Sequence, residues 1–84
     1  MLAEAMNTYN IALYSIKEKG YSITLELNDE KDEIISWIAK KDEIIISAFN
    51  PLSLLALVVV FDKYGMNWNK VETGKLYDEI LEQD

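Results

Sequence analysis

The sequence contains no histidine, cysteine or arginine, and it has only one proline and three glycines. Without histidine or cysteine the chain cannot form a Ser-His or Cys-His nucleophile pair, an imidazole or thiolate zinc site, or a disulfide. The three glycines are isolated from one another, so they do not form a phosphate-binding loop. Paired carboxylates could still serve acid–base chemistry or bind a divalent cation, but those of residues 28–33 lie in a predicted turn, where we expect them to be solvated. We therefore expect neither an enzyme nor a cofactor or metal site.

The sequence also lacks a basic, apolar leader at its start and any apolar run close to the ~20 residues that span a bilayer. The absence of cysteine fits a reducing compartment. Together these features predict a cytoplasmic protein without a membrane contact.

Basic residues are scarce, since eight lysines face fifteen acidic residues and leave a net charge of −7. Proteins that bind nucleic acid directly show the opposite sign, and anionic membranes would repel this surface. Two interpretations remain open. The charge keeps a small domain soluble, or it complements a basic partner protein.

The periodicity of apolar residues predicts the first elements of a single domain over residues 1–84. Spacings of three and four predict a helix over residues 2–16 that ends at Gly20. Strict alternation predicts a strand over residues 21–28, and two more apolar runs predict strands over residues 34–40 and 44–48. Because short polar turns join them, we expect an antiparallel meander.

The most apolar stretch, residues 49–65, predicts a central helix. Asn50 is a suitable N-cap, Pro51 suits the first helical position, and Gly65 suits the end. A buried strand is the alternative, because residues 58–60 are all valine. Since apolar side chains would point in every direction around this helix, we expect it to be covered on all sides.

A last helix is predicted over residues 74–82, with Thr73 as a possible cap. Its buried stripe would consist of Leu76, Tyr77, Ile80 and Leu81. The fold class is then α+β, a three-stranded antiparallel sheet with helices packed on one face, in the order αβββαα.

Acidic residues concentrate in and beside the two predicted turns between strands, where we expect them to be solvated. As candidate partner-binding residues we select the acids of these turns, one strand carboxylate and one tryptophan: Glu26, Asp29, Glu30, Asp32, Glu33, Asp42, Glu43 and Trp68. Trp37 is predicted to lie in the core. Trp68 is interpreted as a plug between helix and sheet or as an exposed anchor, since aromatic residues are enriched at binding hot spots.

Four segments resemble small acidic bacterial immunity proteins: YSIKEKGYSITLEL, SWIAKKDEIIISAFNPLSLLALVVVF, the G-x-x-W of Gly65 and Trp68, and YDEILEQ. The resemblance implies a non-enzymatic inhibitor that binds and neutralises a protein toxin. Phage-encoded inhibitors of bacterial defence systems, anti-CRISPR-like or mimicking nucleic acid, share this size and charge and are the alternative. In both cases the partner is a basic protein.

A different class of function, a homodimeric structural or assembly module, is suggested by the second and third strands. Both are apolar on two faces, whereas a sheet covered on one side should be polar on the other. We therefore expect an exposed patch that a second copy could cover, formed by Ile34, Ile38, Ile45 and Phe49.

Overall fold

A computed structural model describes residues 5–83 of the chain. Within this range the elements follow the predicted order and confirm the α+β class. They are α1 (Tyr9–Glu18), β1 (Ser22–Leu27), β2 (Ile34–Lys41), β3 (Ile44–Ala48), α2 (Pro51–Tyr64) and α3 (Leu76–Leu81), with 3-10 turns at Met6–Thr8 and Gly65–Lys70. The predicted beginning of the first helix at residue 2 lies outside the described residues.

The three strands form an antiparallel meander in the order β1-β2-β3. The register places Ile23 opposite Ala39, and Ala39 opposite Ile46, so these three side chains share one face of the sheet. An irregularity between Glu26 and Leu27 adds one residue to β2 near its start. The sequence alone does not show which face of β2 is covered, since both faces carry large apolar residues. In the structure Ala39 is fully buried under the helices, and Ile38 therefore faces the other way.

The core lies between this face of the sheet and the helices α1 and α2, which also pack against each other. Ile16 of α1 and Leu54 and Val58 of α2 are fully buried. Trp37 was predicted to lie in the core. It is half-buried and packs against this cluster. The covered face of the sheet is thus a single apolar layer under two helices.

The ends of α2 follow from the residues that the sequence singled out. The Asn50 side chain accepts a hydrogen bond from the backbone N–H of Ser53 at 2.8 Å, and Pro51 occupies the first turn. Gly65 ends the helix with φ +64°, a region that residues with a Cβ rarely adopt. The helical interpretation of this stretch is therefore correct.

The expectation that α2 is covered on all sides is wrong. Pro51, Leu54 and Val58 form its one buried stripe, while Leu57 is 45% exposed and Val60 is also exposed. The physical reason is the number of layers. The sheet and α1 pack against α2 on two sides, and the exposure of Leu57 and Val60 shows that its outer side is left open to solvent.

The buried stripe predicted for the last helix is also wrong. The helix forms, but none of its residues is buried, and α3 has no substantial packing against any other described element. Thr73 does not cap it; its hydroxyl bonds to the carbonyl oxygen of Gly74, and Lys75 precedes the first turn. The molecule is accordingly elongated, with extents of 44 × 30 × 28 Å.

The open face of the sheet is more polar than the predicted apolar patch implies. Ile38 is half-buried in the central strand, and Ile45 is exposed near the sheet edge. According to the strand register, the other residues on this face are polar: Ser22, Thr24, Glu26, Ser36, Lys40 and Ser47. Ile34 and Phe49 are exposed, but they lie at the end of the sheet that carries the β1–β2 loop, whereas Ile45 pairs with Lys40 near the other end.

Candidate protein-binding surface

The loop between β1 and β2, residues 28–33, is built around the side chain of Asn28. Its Oδ1 accepts from the backbone N–H groups of Asp32 and Glu33 at 3.1 and 3.4 Å, and its Nδ2 donates to Asp32 Oδ1 at 2.7 Å. The Asn28 backbone N–H donates to the carbonyl of Glu33 at 3.0 Å. Asparagine is well suited to this position because its side chain mimics a backbone turn. We call residues 28–33 the acidic loop.

The acidic loop presents its charges to solvent. Asp29, Glu30, Asp32 and Glu33 are all exposed, and Lys31 is the only basic residue among them. Glu26 precedes the loop on β1, where its carboxylate accepts from the Ser36 hydroxyl at 3.1 Å. These five carboxylates and one lysine give this end of the molecule a net charge of −4. More than half of the protein's excess negative charge therefore lies here.

Apolar side chains flank the acidic loop at the same end of the sheet. Leu27 and Ile34 pair directly across β1 and β2, and Ile35 is the extra residue of the irregularity. Ala48 pairs with Trp37, which places the next residue, Phe49, beside the start of β2. Phe49 is 86% exposed, and the other three are 40–51% exposed. We call the acidic loop, Glu26 and these four residues the loop end.

Asp42 and Glu43, which the sequence grouped with the other candidate acids, lie elsewhere. They form the two-residue turn between β2 and β3, at the opposite end of β2. Eight strand residues separate the two turns, so they lie on the order of 25 Å apart. Lys40 and Lys41 directly precede this turn, so its local charge is balanced. The predicted acidic residues therefore do not form one surface.

Trp68 is not a plug between helix and sheet, because it is 55% exposed. It lies in the 3-10 turn that directly follows α2. Asp62, near the end of α2, accepts a hydrogen bond from Tyr21, which directly precedes β1. Because the start of β1 pairs with the end of β2, α2 ends on the side of the sheet that carries Asp42 and Glu43. Trp68 is thus displaced toward the end opposite the acidic loop.

A polar cluster that was not predicted from the sequence joins α1, the sheet and α2. The Tyr21 hydroxyl donates to Asp62 Oδ1 at 2.9 Å, and Lys19 Nζ lies 3.5 Å from Asp62 Oδ2. Lys41 Nζ bonds to the carbonyl oxygen of Lys19 at 3.0 Å and lies 5.4 Å from the Tyr21 ring centre.

The alternation in residues 21–28 places Tyr21 on the same face as Ile23 and Leu25. A buried tyrosine needs a partner for its hydroxyl, and Asp62 is the only acid in α2. The contact between Tyr21 and Asp62 could therefore have been predicted from the sequence.

The environment of Tyr21 does not prepare it for proton transfer. Burial, the hydrogen bond to Asp62 and the charge of Asp62 raise the pKa of Tyr21 from 10.0 to about 12. The phenol is therefore neutral at physiological pH and serves as a donor to the carboxylate. The cluster is best described as a structural tie between the helices and the sheet.

Residues 5–83 were also searched for a metal site, a ligand pocket and a membrane-spanning helix. No group of three acidic side chains lies close enough together there to hold a metal ion. A shallow depression beside α3 is lined by Lys75, Asp78, Glu79, Leu81 and Glu82, all from one short segment. None of the helices in this range combines the length and the apolar content needed to cross a membrane.

Comparison with known proteins gives no relative. No protein-family model matches the chain, and neither the curated proteins nor the solved structures compared with it yield a match.

Proposed function

We propose that this chain is a non-enzymatic module that binds and neutralises a basic protein through the loop end. The observation that carries the proposal is the acidic loop, whose shape is held by the side chain of Asn28 while its carboxylates remain in solvent. A preorganised loop loses less conformational entropy on binding than a flexible one. Clustered like charges raise the association rate with an oppositely charged partner.

The apolar residues beside the loop strengthen this proposal. Protein interfaces combine a core of apolar and aromatic side chains with a polar rim. Phe49, Ile34 and Ile35 supply such a core next to the carboxylates of the acidic loop. A surface that carried charge alone would serve solubility equally well; the neighbouring exposed phenylalanine favours recognition of a protein.

A toxin is the proposed class of target, on the strength of the resemblance to immunity proteins, and the cytoplasm is the proposed place of action. A protein of a bacterial defence system that normally holds nucleic acid is the second possibility. Both targets would present a basic surface to the acidic loop. The two kinds of target are distinguished by expressing the target alone, since a toxin arrests growth and a defence protein need not.

The chain offers a matched pair of variants for the test, because an Asp-Glu dipeptide occurs in each turn. Asp29→Asn with Glu30→Gln removes two charges from the acidic loop, and Asp42→Asn with Glu43→Gln removes the same two charges from the other turn. Asn tolerates the positive φ of +55° at position 42. Each tagged variant and the wild type are used to isolate partners from a lysate of the source cells, and the recovered proteins are quantified by mass spectrometry.

The expected result is a basic protein that the wild type and the variant at positions 42 and 43 retain, and that the variant at positions 29 and 30 loses. The recovered protein is then expressed alone and with this chain. Growth arrest that co-expression relieves supports a toxin target. Equal retention by both variants would contradict the assignment of the loop end.

A further inference from the structure

α3 is too short to be stable without a packing partner. An isolated helix of fewer than about 12 residues is marginal in water, and α3 has six. Its apolar side chains occupy one face, and all are more than half exposed: Leu76, Tyr77, Ile80 and Leu81. Its acids, Asp78, Glu79 and Glu82, occupy the other face. An amphipathic helix of this kind requires an apolar surface to pack on, and none of the other described elements of its own chain makes substantial contact with α3.

The outer side of α2 is an apolar surface of matching size. Leu57, Val60 and Tyr64, spaced three and four residues apart, are 39–45% exposed and form a stripe along the helix. The stripe is about 10 Å long, and α3 is about 9 Å long. Lys63 lies beside it with Nζ 5.4 Å from the Tyr64 ring centre, and Lys70 follows in the 3-10 turn. These lysines complement the acidic face of α3.

The total surface area of the protein supports an intermolecular contact. A compact monomer of 9.7 kDa has an accessible area of about 5,100 Å² by the usual scaling. The area found is 7083 Å², an excess of roughly 2,000 Å². Even if the five residues outside the described range are allowed the full area of an unfolded chain, about 800 Å², an excess above about 1,000 Å² remains. Two copies that buried this excess would reach the size of stable homodimer interfaces.

We propose that two copies of this chain form a symmetric dimer in which each α3 packs on the outer stripe of α2 of the other copy. A second copy is the favoured partner because every chain carries both surfaces of the contact, the apolar face of α3 and the outer stripe of α2. A two-fold axis then makes the α3–α2 contact twice and closes the assembly. The contact uses neither the acidic loop nor Phe49, so it does not depend on the proposed function.

The test is the mass in solution of the full chain and of two charge variants, measured by sedimentation equilibrium at micromolar concentration. Ile80→Asp alters only α3, and Leu57→Asp alters only the α2 stripe. Each variant places a carboxylate in both α3–α2 contacts of its own dimer. We therefore expect the wild type to be dimeric and each variant to self-associate about thirtyfold more weakly or worse. The control Ile45→Asp on the open face of the sheet should remain dimeric.

Mixing the two variants tests the reciprocity of the contact. In a mixed dimer, the intact α3 of the Leu57→Asp chain meets the intact α2 stripe of the Ile80→Asp chain, so one of the two contacts is restored. The mixture should contain a heterodimer at concentrations where each variant alone is monomeric. Circular dichroism of each variant verifies that the fold is kept.

Three results would overturn the proposal. A monomeric wild type would show that α3 packs on its own chain or stays free. A dimer that survives Leu57→Asp or Ile80→Asp would have a different interface. A mixture that behaves as the two variants do separately would exclude the exchange of α3 onto α2. The pull-down that tests the acidic loop is independent of all three.

Discussion

At the scale of single residues, the hydroxyl of Tyr21 makes the most informative contact, because it ties β1 to α2 through Asp62. We expect Tyr21→Phe to lower the free energy of unfolding by about 1–2 kcal/mol. A hydrogen bond to a charged group contributes about that much or more, and Asp62 keeps Lys19 as a second partner. Urea denaturation measures the change. Tyr14→Phe, on the exposed side of α1, is the control and should have no measurable effect.

The raised pKa of Tyr21 predicts how stability depends on pH. The folded-state pKa of about 12 exceeds the ordinary value of 10.0, so the neutral phenol is stabilised by folding. This contribution is complete below pH 10 and is lost as the pH rises toward 12. The comparison is made with Tyr21→Phe, which lacks the titrating phenol. The wild type should lose more stability than the variant between pH 10 and 12; parallel curves would contradict the assignment.

Asn28 is the residue on which the shape of the acidic loop depends. Asn28→Ala removes the acceptor for the amides of Asp32 and Glu33, so we expect both amides to exchange hydrogen about tenfold faster. Amide exchange followed by NMR measures this. The amide of Ala39 in the central strand serves as the internal control. Unchanged exchange at both loop amides would mean that the backbone alone holds the loop.

At the scale of elements, much of the fold could be predicted from the sequence because local signals are sufficient for it. The alternation in residues 21–28 sets β1, and Asn50, Pro51 and Gly65 set the ends of α2. What α2 and α3 bury could not be predicted in the same way. A high apolar content indicates that a helix is buried against other elements. How many of its sides are buried depends on how many layers those elements form. For this reason the predictions for the outer side of α2 and for α3 were both wrong.

The one-sided burial of α2 gives a direct prediction about stability. Leu54→Ala should lower the free energy of unfolding by about 2–5 kcal/mol, because it removes fully buried atoms and leaves a cavity. Leu57→Ala should cost less than about 1 kcal/mol in the monomer, since Leu57 is already half in solvent. Both are compared by urea denaturation in the Ile80→Asp background, which removes the proposed dimer contact. Similar losses for both variants would mean that α2 is covered on its outer side.

At the scale of the whole molecule, topology separates charges that are close in sequence. Asp32 and Asp42 are ten residues apart, but a meander places successive turns at opposite ends of the sheet. The predicted grouping of all turn acids as one surface ignored this consequence of the predicted fold itself. The apolar residues of the loop end were visible in the sequence. However, their position beside the acidic loop depends on the strand register, in particular on the pairing of Ala48 with Trp37.

The net charge of −7 leads to opposite salt dependences for the two proposed contacts. Two copies of the chain repel each other, and salt screens that repulsion over about 10 Å at 0.1 M, so self-association should strengthen as salt is added. A basic partner is attracted to the acidic loop, so its association rate should fall over the same range. Sedimentation equilibrium and stopped-flow binding measure the two effects on one protein preparation. If self-association also weakens with salt, the pairing of Lys63 and Lys70 with the acids of α3 outweighs the repulsion between the copies.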